Sequence, residues 1–289
     1  MTREPDQPSL LESIGGHFVL ICAVIFALYP VLWVIALAFS GSRPPVAEMV
    51  PMPHDATFAH FNEVVSTTKV TPDGSIWLFG RQLVNSLVVS LATAAVGILI
   101  AVPTAYALAR FKFLGKERGV RALLATQMFP TVASLIPLYL MLDRLHLLNS
   151  RTGLVVCYAA TSVPFAIFQL RAAFEAIPVD LEEAAMVDGA TRFEAFLRVV
   201  LPAARPAIAV TALFAFMSAY NEFILAATLL SKAEMFTLPI VLQSYINQYD
   251  TRNDLFAAGA ILVSVPVMAL FYVAQRHLVA GLTAGGVKG

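Results

Sequence analysis

The fold class this sequence predicts is an all-α polytopic membrane protein with six transmembrane helices. Three observations predict it. Of 289 residues 58% are hydrophobic, and the mean hydropathy is +0.76. Only 13% are charged, against about 25% in ordinary soluble domains. Six stretches are each long and apolar enough to cross a bilayer, which takes about 20 residues. Most of the surface therefore does not face water.

The six stretches are 18–39, 83–109, 122–142, 152–170, 206–230 and 255–275. Five carry no charge, and the fifth in order carries one, Glu222. Helix is the expected spanning element, because hydrocarbon offers backbone polar groups no partner. A membrane β-barrel would alternate apolar and polar residues over about ten positions, and these runs do not. Pro30, Pro103, Pro130, Pro137, Pro164 and Pro266 interrupt the spans. They read as fixed kinks or as points of flexure, and neighbouring helices re-satisfy the freed carbonyls. The N-terminus reads as a retained first span, not a cleaved leader. Residues 1–16 hold Glu4, Asp6 and Glu12 against Arg3 alone, and no small-residue cleavage site follows.

Lys and Arg placement predicts the orientation. With six spans, twelve of the 19 cations fall on the side of both termini, five of them within 110–121. That side is expected to be cytoplasmic. The expected organisation is a cytoplasmic N-terminus at 1–17, a six-span transmembrane domain at 18–279 and a cytoplasmic tail at 280–289. Residues 40–81 hold Pro44, Pro45, Pro51, Pro53 and Pro72, so this outer segment reads as mostly extended or irregular. A second outer loop covers 231–254.

The inner segment 178–203, PVDLEEAAMVDGATRFEAFLRVVLPA, reads as helix, turn, helix. Asp180 is placed as an N-cap with Glu183 three residues on, and Thr191 as a second cap with Glu194. Gly189 supplies the turn, because it takes positive φ without steric cost. Phe193, Phe196, Leu197 and Val200 form one apolar face, and Pro202 ends the helix. Two short amphipathic helices are expected at the membrane surface.

Glu183-Ala184-Ala185, three residues, Gly189, nine residues and then Val199-Val200-Leu201-Pro202 resemble the EAA motif of ABC-importer permeases, with Val199 where Ile is usual. Gln127-Met128-Phe129-Pro130, Leu181 to Ala185 and the tail from Gln275 to Gly289 resemble the carbohydrate (maltose/maltodextrin) branch of that family. The likeness runs the length of the chain in span order and loop lengths, and implies the type I importer permease fold. It further implies that Glu183, Ala184, Ala185, Asp188, Gly189, Ala190, Leu201 and Pro202 form a coupling helix docked in a partner ATPase. Gly285, Gly286 and Lys288 would reach between the ATPase subunits. By composition alone that Gly-rich tail is a disordered end.

No catalytic constellation is present. There is no G-x-x-x-x-G-K-[ST] loop, so the chain is not expected to bind ATP, and ATP and Mg belong to the ATPase. The five histidines are scattered and no metal site is expected; Cys22 and Cys157 read as small buried hydrophobes. Net charge is zero, which excludes a basic field for nucleic acid. Polar groups at membrane depth are Gln127, Tyr220, Asn221 and Glu222, with Asn85 and Ser86 opening the second span. They read either as lining a hydrated sugar pathway, with Tyr220 as a stacking face, or as hydrogen-bond glue between helices. A buried carboxylate costs at least about 2.5 kcal/mol, so Glu222 should face a cavity or a partner. In the outer loop, Leu238, Gln243, Tyr245, Asn247 and Tyr249 read as a contact for an extracytoplasmic sugar-binding protein, as the resemblance implies, or as a hairpin over helix ends. The expected partners are a companion permease, an ATPase homodimer, that binding protein and the lipid of a bacterial inner membrane. Rival readings are the same machinery for trehalose, another oligosaccharide or glycerol phosphate, an ion-coupled secondary transporter, and a passive channel. An ion-coupled carrier would need inverted repeats or a coupling-ion site, and neither is evident.

Overall fold

The computed structural model describes residues 10–41, 50–53, 55–72, 74–246 and 251–285. The elements in order are α1 (Leu10–Phe39), α2 (Ala59–Val65), β1 (Thr68–Thr71), β2 (Gly74–Trp77), α3 (Leu78–Arg110), α4 (Lys116–Met128), α5 (Leu135–Arg144), α6 (Arg151–Ala176), α7 (Asp180–Val187), α8 (Arg192–Ala195), α9 (Leu201–Ala203), α10 (Arg205–Tyr220), α11 (Ile224–Leu229), α12 (Leu238–Ser244) and α13 (Asn253–Gly285). Among the described residues four helices are each long and apolar enough to cross a membrane, namely Glu12–Phe39, Leu78–Arg110, Arg151–Ala176 and Asn253–Gln275. Two bent pairs bring the number up to six if each pair is one span.

Those bends correct the sequence reading. The third span is not one helix. Lys116–Met128 and Val132–Arg144 meet at 94°. Pro130 stands between them, has no N–H, and biases Phe129 to the extended backbone seen there (ψ 128°). The fifth span breaks after Tyr220, with Asn221 to Phe223 outside any helix. Arg192–Ala203 and Arg205–Tyr220 meet at 71°. Pro202 lies in the last turn of its helix, which ends one residue later at Ala203. A π-helical turn at Phe196–Val200 precedes it, and α9 carries Pro202 inside it. In that widened turn the Leu201 N–H reaches the Phe196 carbonyl, five residues back.

The chain divides into two compact units. One holds 1–67 with 242–262, the other 68–241 with 263–289. In the first, Phe39, Phe58 and Phe61 stack against one another, and Ala38, Ala257 and Ala258 are buried. His60 Nε2 bonds the Ser40 carbonyl at 2.8 Å, and Nδ1 lies 3.2 Å from Asp254. Cys22 is exposed, against expectation, since the most apolar window of α1 buries none of its residues within this chain. The described part of 40–81 is also more regular than its prolines suggest. It holds α2 and an antiparallel hairpin closed between Thr71 and Gly74, with Gly74 at φ 131°. A short turn at Pro72 suits proline, whose fixed φ fits such a turn. Pro44 and Pro45 lie outside the described residues.

The second unit is built on α3, which packs along α6 and α10. Gln82, Asn85, Ser86, Ser90 and Thr93 are all buried and recur at helical spacing, so α3 presents a polar stripe inward. Ser90 returns its hydroxyl to the Ser86 carbonyl at 2.7 Å. At Gly97 α3 runs close to α6, where an added Cβ would stand 3.8 Å from Ser162 Oγ, an ordinary contact. Small and hydroxyl residues at such contacts are the usual means of close helix packing in lipid. One apolar cluster joins Val89, Leu142, Leu154, Cys157, Tyr158, Leu225 and Leu229. The other joins Ala101, Ala105 and Tyr106 of α3, Ile167, Leu170 and Phe174 of α6, and Phe196 and Val200.

Candidate functional site

The second cluster is where the inner segment 178–203 meets the spanning helices. Asp180, Glu182 and Glu183 fill the first turn of α7, where the helix dipole favours negative charge. Asp180 is not its cap, as the sequence suggested. Val179 holds that position, with no side-chain cap bond. The C-terminus closes as a Schellman motif. Gly189 N–H donates to the Met186 carbonyl at 3.1 Å, and Ala190 N–H to that of Ala185 at 3.0 Å. Gly189 sits at φ +94°, as its role in the turn requires. Thr191 and Glu194 form the predicted capping box at the start of α8.

One side of this segment is clamped. Glu182 is 4% exposed, and its carboxylate pairs with Arg110 Nε at the end of α3. Tyr106 donates its hydroxyl to the other carboxylate oxygen at 2.9 Å. Arg110 Nη2 donates to the Ile177 carbonyl at 2.8 Å. The two side chains of the ion pair are 6% and 5% exposed, so each charge is withdrawn from water and compensated by the other. Beneath the pair, Tyr106 packs on Phe196 at 4.3 Å between ring centroids, and edge-on to Phe174 at 6.0 Å. Arg192 lies over the Phe111 ring at 5.4 Å. Sequence reasoning missed Glu182 and Arg110. The signal available was the paired glutamates. At 100° per residue they point in different directions, so one can turn inward while the other stays exposed.

The other side is free within the chain. Glu183, Ala184, Asp188 and Gly189 are exposed, and Ala185, Ala190, Leu201 and Pro202 are half-buried. Val187 is 87% and Phe193 68% exposed, two apolar side chains flanking the Gly189 turn. The predicted apolar face of the second helix therefore splits. Phe196 and Val200 are buried, while Phe193 and Leu197 point away.

The remaining predicted residues do not gather into one site. Gln127 lines a cavity of about 640 Å³ with Thr126, Phe129, Ser134, Cys157 and Thr161, and bonds the Thr161 carbonyl at 3.3 Å. Tyr220 is 2% exposed, stacks on Phe216 and donates to the Val263 carbonyl at 2.9 Å. It presents no face for a sugar, because its ring is used in packing. Glu222 is occupied as a cap. Its oxygens accept the Leu225 and Ala226 N–H groups at 2.8 and 3.1 Å, satisfying donors that the break before α11 would orphan. Asn221 is exposed beside it.

Asn85 and Ser86 are likewise used internally. Asn85 donates to the Glu234 and Phe236 carbonyls at 2.9 and 3.0 Å and accepts from Arg151, and Ser86 Oγ accepts the Leu238 N–H at 2.7 Å. Leu238 is fully buried, so it offers nothing to a docking protein. Gln243 is exposed and Tyr245 half-buried. Lys69 bonds Glu234 at 2.7 Å and holds that carboxyl below the usual glutamate range. Asn149, at φ 53°, accepts from Ser231 N, Ser231 Oγ and Lys232 N, a junction sequence reading did not find. Asn247, Tyr249, Gly286 and Lys288 lie outside the described residues. Gly285 is the last residue of α13.

Residues 94–284 match the family model described as binding-protein-dependent transport system inner membrane component. The chain belongs to this family. Permeases of the family are transport subunits, not enzymes, and ATP hydrolysis resides in a separate subunit. The chain is 32% identical to the maltose/maltodextrin transport system permease protein MalG of Yersinia pestis, over 100% of both chains. It is also 32% identical to the galactooligosaccharides transport system permease protein GanQ of Bacillus subtilis, over 96% of each. Among solved structures, a bacterial ABC transporter that imports the acidic polysaccharide alginate superposes with a TM-score of 0.74 at 24% identity, covering 95% of this chain and 99% of that one. The fold is thus that of an ABC-importer permease, and the chain is a multi-pass membrane subunit of a sugar importer.

Proposed function

We propose that this chain is the permease subunit of an ATP-driven, binding-protein-dependent importer of maltose or maltodextrin, moving the sugar inward by alternating access. The observation that carries the energy-coupling part is the two-sided inner segment. Its exposed side (Glu183, Val187, Asp188, Phe193) suits insertion into a cleft of a partner ATPase, which binds ATP and Mg. Its buried side is tied to α3 by Arg110 and Glu182 and to α6 by the aromatic cluster. A push on the exposed side therefore moves α3 and α6 together, which a flexible loop could not do. The full-length likeness to the Yersinia permease supports maltodextrin as the sugar. The positive-charge count supports cytoplasmic termini in the inner membrane. A companion permease, an ATPase homodimer and a sugar-binding protein complete the assembly, with Gln243 and Tyr245 as the described part of the outer contact.

The test is solute-dependent ATP hydrolysis by the full reconstituted complex. Maltose or maltodextrin with the binding protein should raise the rate. Stimulation by trehalose, galactooligosaccharide or glycerol phosphate, and none by maltodextrin, overturns the sugar assignment. Uptake that persists without the ATPase overturns the coupling.

A further inference from the structure

Between α3 and α4 the chain forms a cavity of about 950 Å³ that the transport reading does not use. Lys112, Lys116, Arg118, Arg121 and Arg171 line it, against one carboxylate, Glu117. Arg171 is paired with Glu175 at 2.7 Å. Among the described residues Lys116 and Arg121 reach only backbone carbonyls, those of Phe111 at 3.3 Å and Glu117 at 3.4 Å. Among the described residues, Lys112 and Arg118 have no carboxylate within ion-pair distance. Cations crowded around one cavity repel each other, and the cavity is short of the anion that would relieve them.

The surroundings say what kind of anion. The cavity lies where α3 ends and α4 begins, at the edge of the apolar spans. Phe113 (50% exposed) and Leu114 (104% exposed) stand between Lys112 and Lys116. No residue of α4 is buried within this chain, so its apolar side chains, such as Leu124, are left open beside the cavity. Basic side chains with exposed apolar neighbours at a span boundary match a lipid that carries a negative headgroup over a hydrocarbon chain. A free phosphate would use the charges and leave Leu114 and α4 uncovered.

We propose that this cavity is a binding site for the phosphate of an anionic phospholipid, with an acyl chain along α4. The inference rests only on the chain being membrane-embedded, not on which sugar it carries. The full importer complex is placed in nanodiscs of phosphatidylcholine alone, or with phosphatidylglycerol or cardiolipin added, and retained lipid is counted by native mass spectrometry. Wild type should retain anionic lipid in preference to phosphatidylcholine, and the preference should fade in high salt. The triple variant Lys112→Gln/Arg118→Gln/Arg121→Gln should bind anionic lipid about 100-fold more weakly, at roughly 1 kcal/mol per cation removed. Lys112→Arg/Arg118→Lys/Arg121→Lys, which keeps the charges, should retain it. Neutralising Arg81, Arg144 and Lys232 instead should change nothing. The proposal is overturned if wild type shows no anionic preference, or if the triple variant binds as wild type. It is equally overturned if inorganic phosphate displaces the lipid at millimolar concentration, or if the triple variant sheds a protein subunit while lipid retention stays unchanged.

Discussion

Replacing Glu182 by Gln removes one half of the pair that fastens α7 to α3. The Arg110 guanidinium is then left 6% exposed with the Ile177 carbonyl as its remaining strong acceptor. Breaking a buried ion pair from one side costs about 3–5 kcal/mol, because the remaining charge is neither solvated nor compensated. At 1.4 kcal/mol per decade, the undocked fraction of α7 should rise by roughly two to three and a half orders of magnitude. Hydrogen exchange of the 180–188 amides in the full complex reads that opening directly. Sugar-stimulated ATP hydrolysis should fall with it, while basal hydrolysis by the ATPase persists. The double variant Arg110→Met/Glu182→Leu removes both charges and should recover most of the protection, since apolar replacement of a buried pair is often near neutral. Exchange in Glu182→Gln within twofold of wild type refutes the clamp. So does a double variant as open as the sum of the two single changes, because partners in one pair must be non-additive.

Other outcomes follow from the same geometry. Gly189→Ala should cost about 1–2 kcal/mol of local stability through its positive φ alone, since a Cβ there meets nothing within 4 Å, and Gly189→Pro should insert normally yet abolish uptake, read by sugar transport in cells. Val187→Asp with Phe193→Asp should leave the permease thermal midpoint unchanged and prevent ATPase co-purification, because both side chains are exposed. Glu222→Ala should cost about 0.5–2 kcal/mol by uncapping α11, seen as a lower thermal midpoint, with Glu222→Gln intermediate. Asn149→Ala removes an acceptor shared by three donors and should raise exchange at Ser231 and Lys232 without altering ATPase binding.

The sequence alone determined that the chain spans a membrane, how many apolar segments it has, and that 178–203 is a helical hairpin turning at Gly189. These are local or compositional properties. Hydrocarbon length, positive φ and the Thr191–Glu194 box each depend on residues a few positions apart. The tertiary structure decided what is used up and what is free. Tyr220, Asn85 and Ser86 read equally as pathway lining or as glue between helices, and they are used as glue, with Leu238 also spent inside the chain, because their partners, Val263, Glu234 and Phe236, and Leu238, come from distant elements. Glu222 was expected to face a cavity or a partner and is instead a cap, because the helix breaks at 221–223 and leaves the Leu225 and Ala226 N–H groups to its carboxylate. Of two adjacent glutamates, only packing told which faces Arg110, 72 residues away. That choice fixes Glu182 as the clamp and leaves Glu183 for a partner, since a helix sends neighbouring side chains about 100° apart.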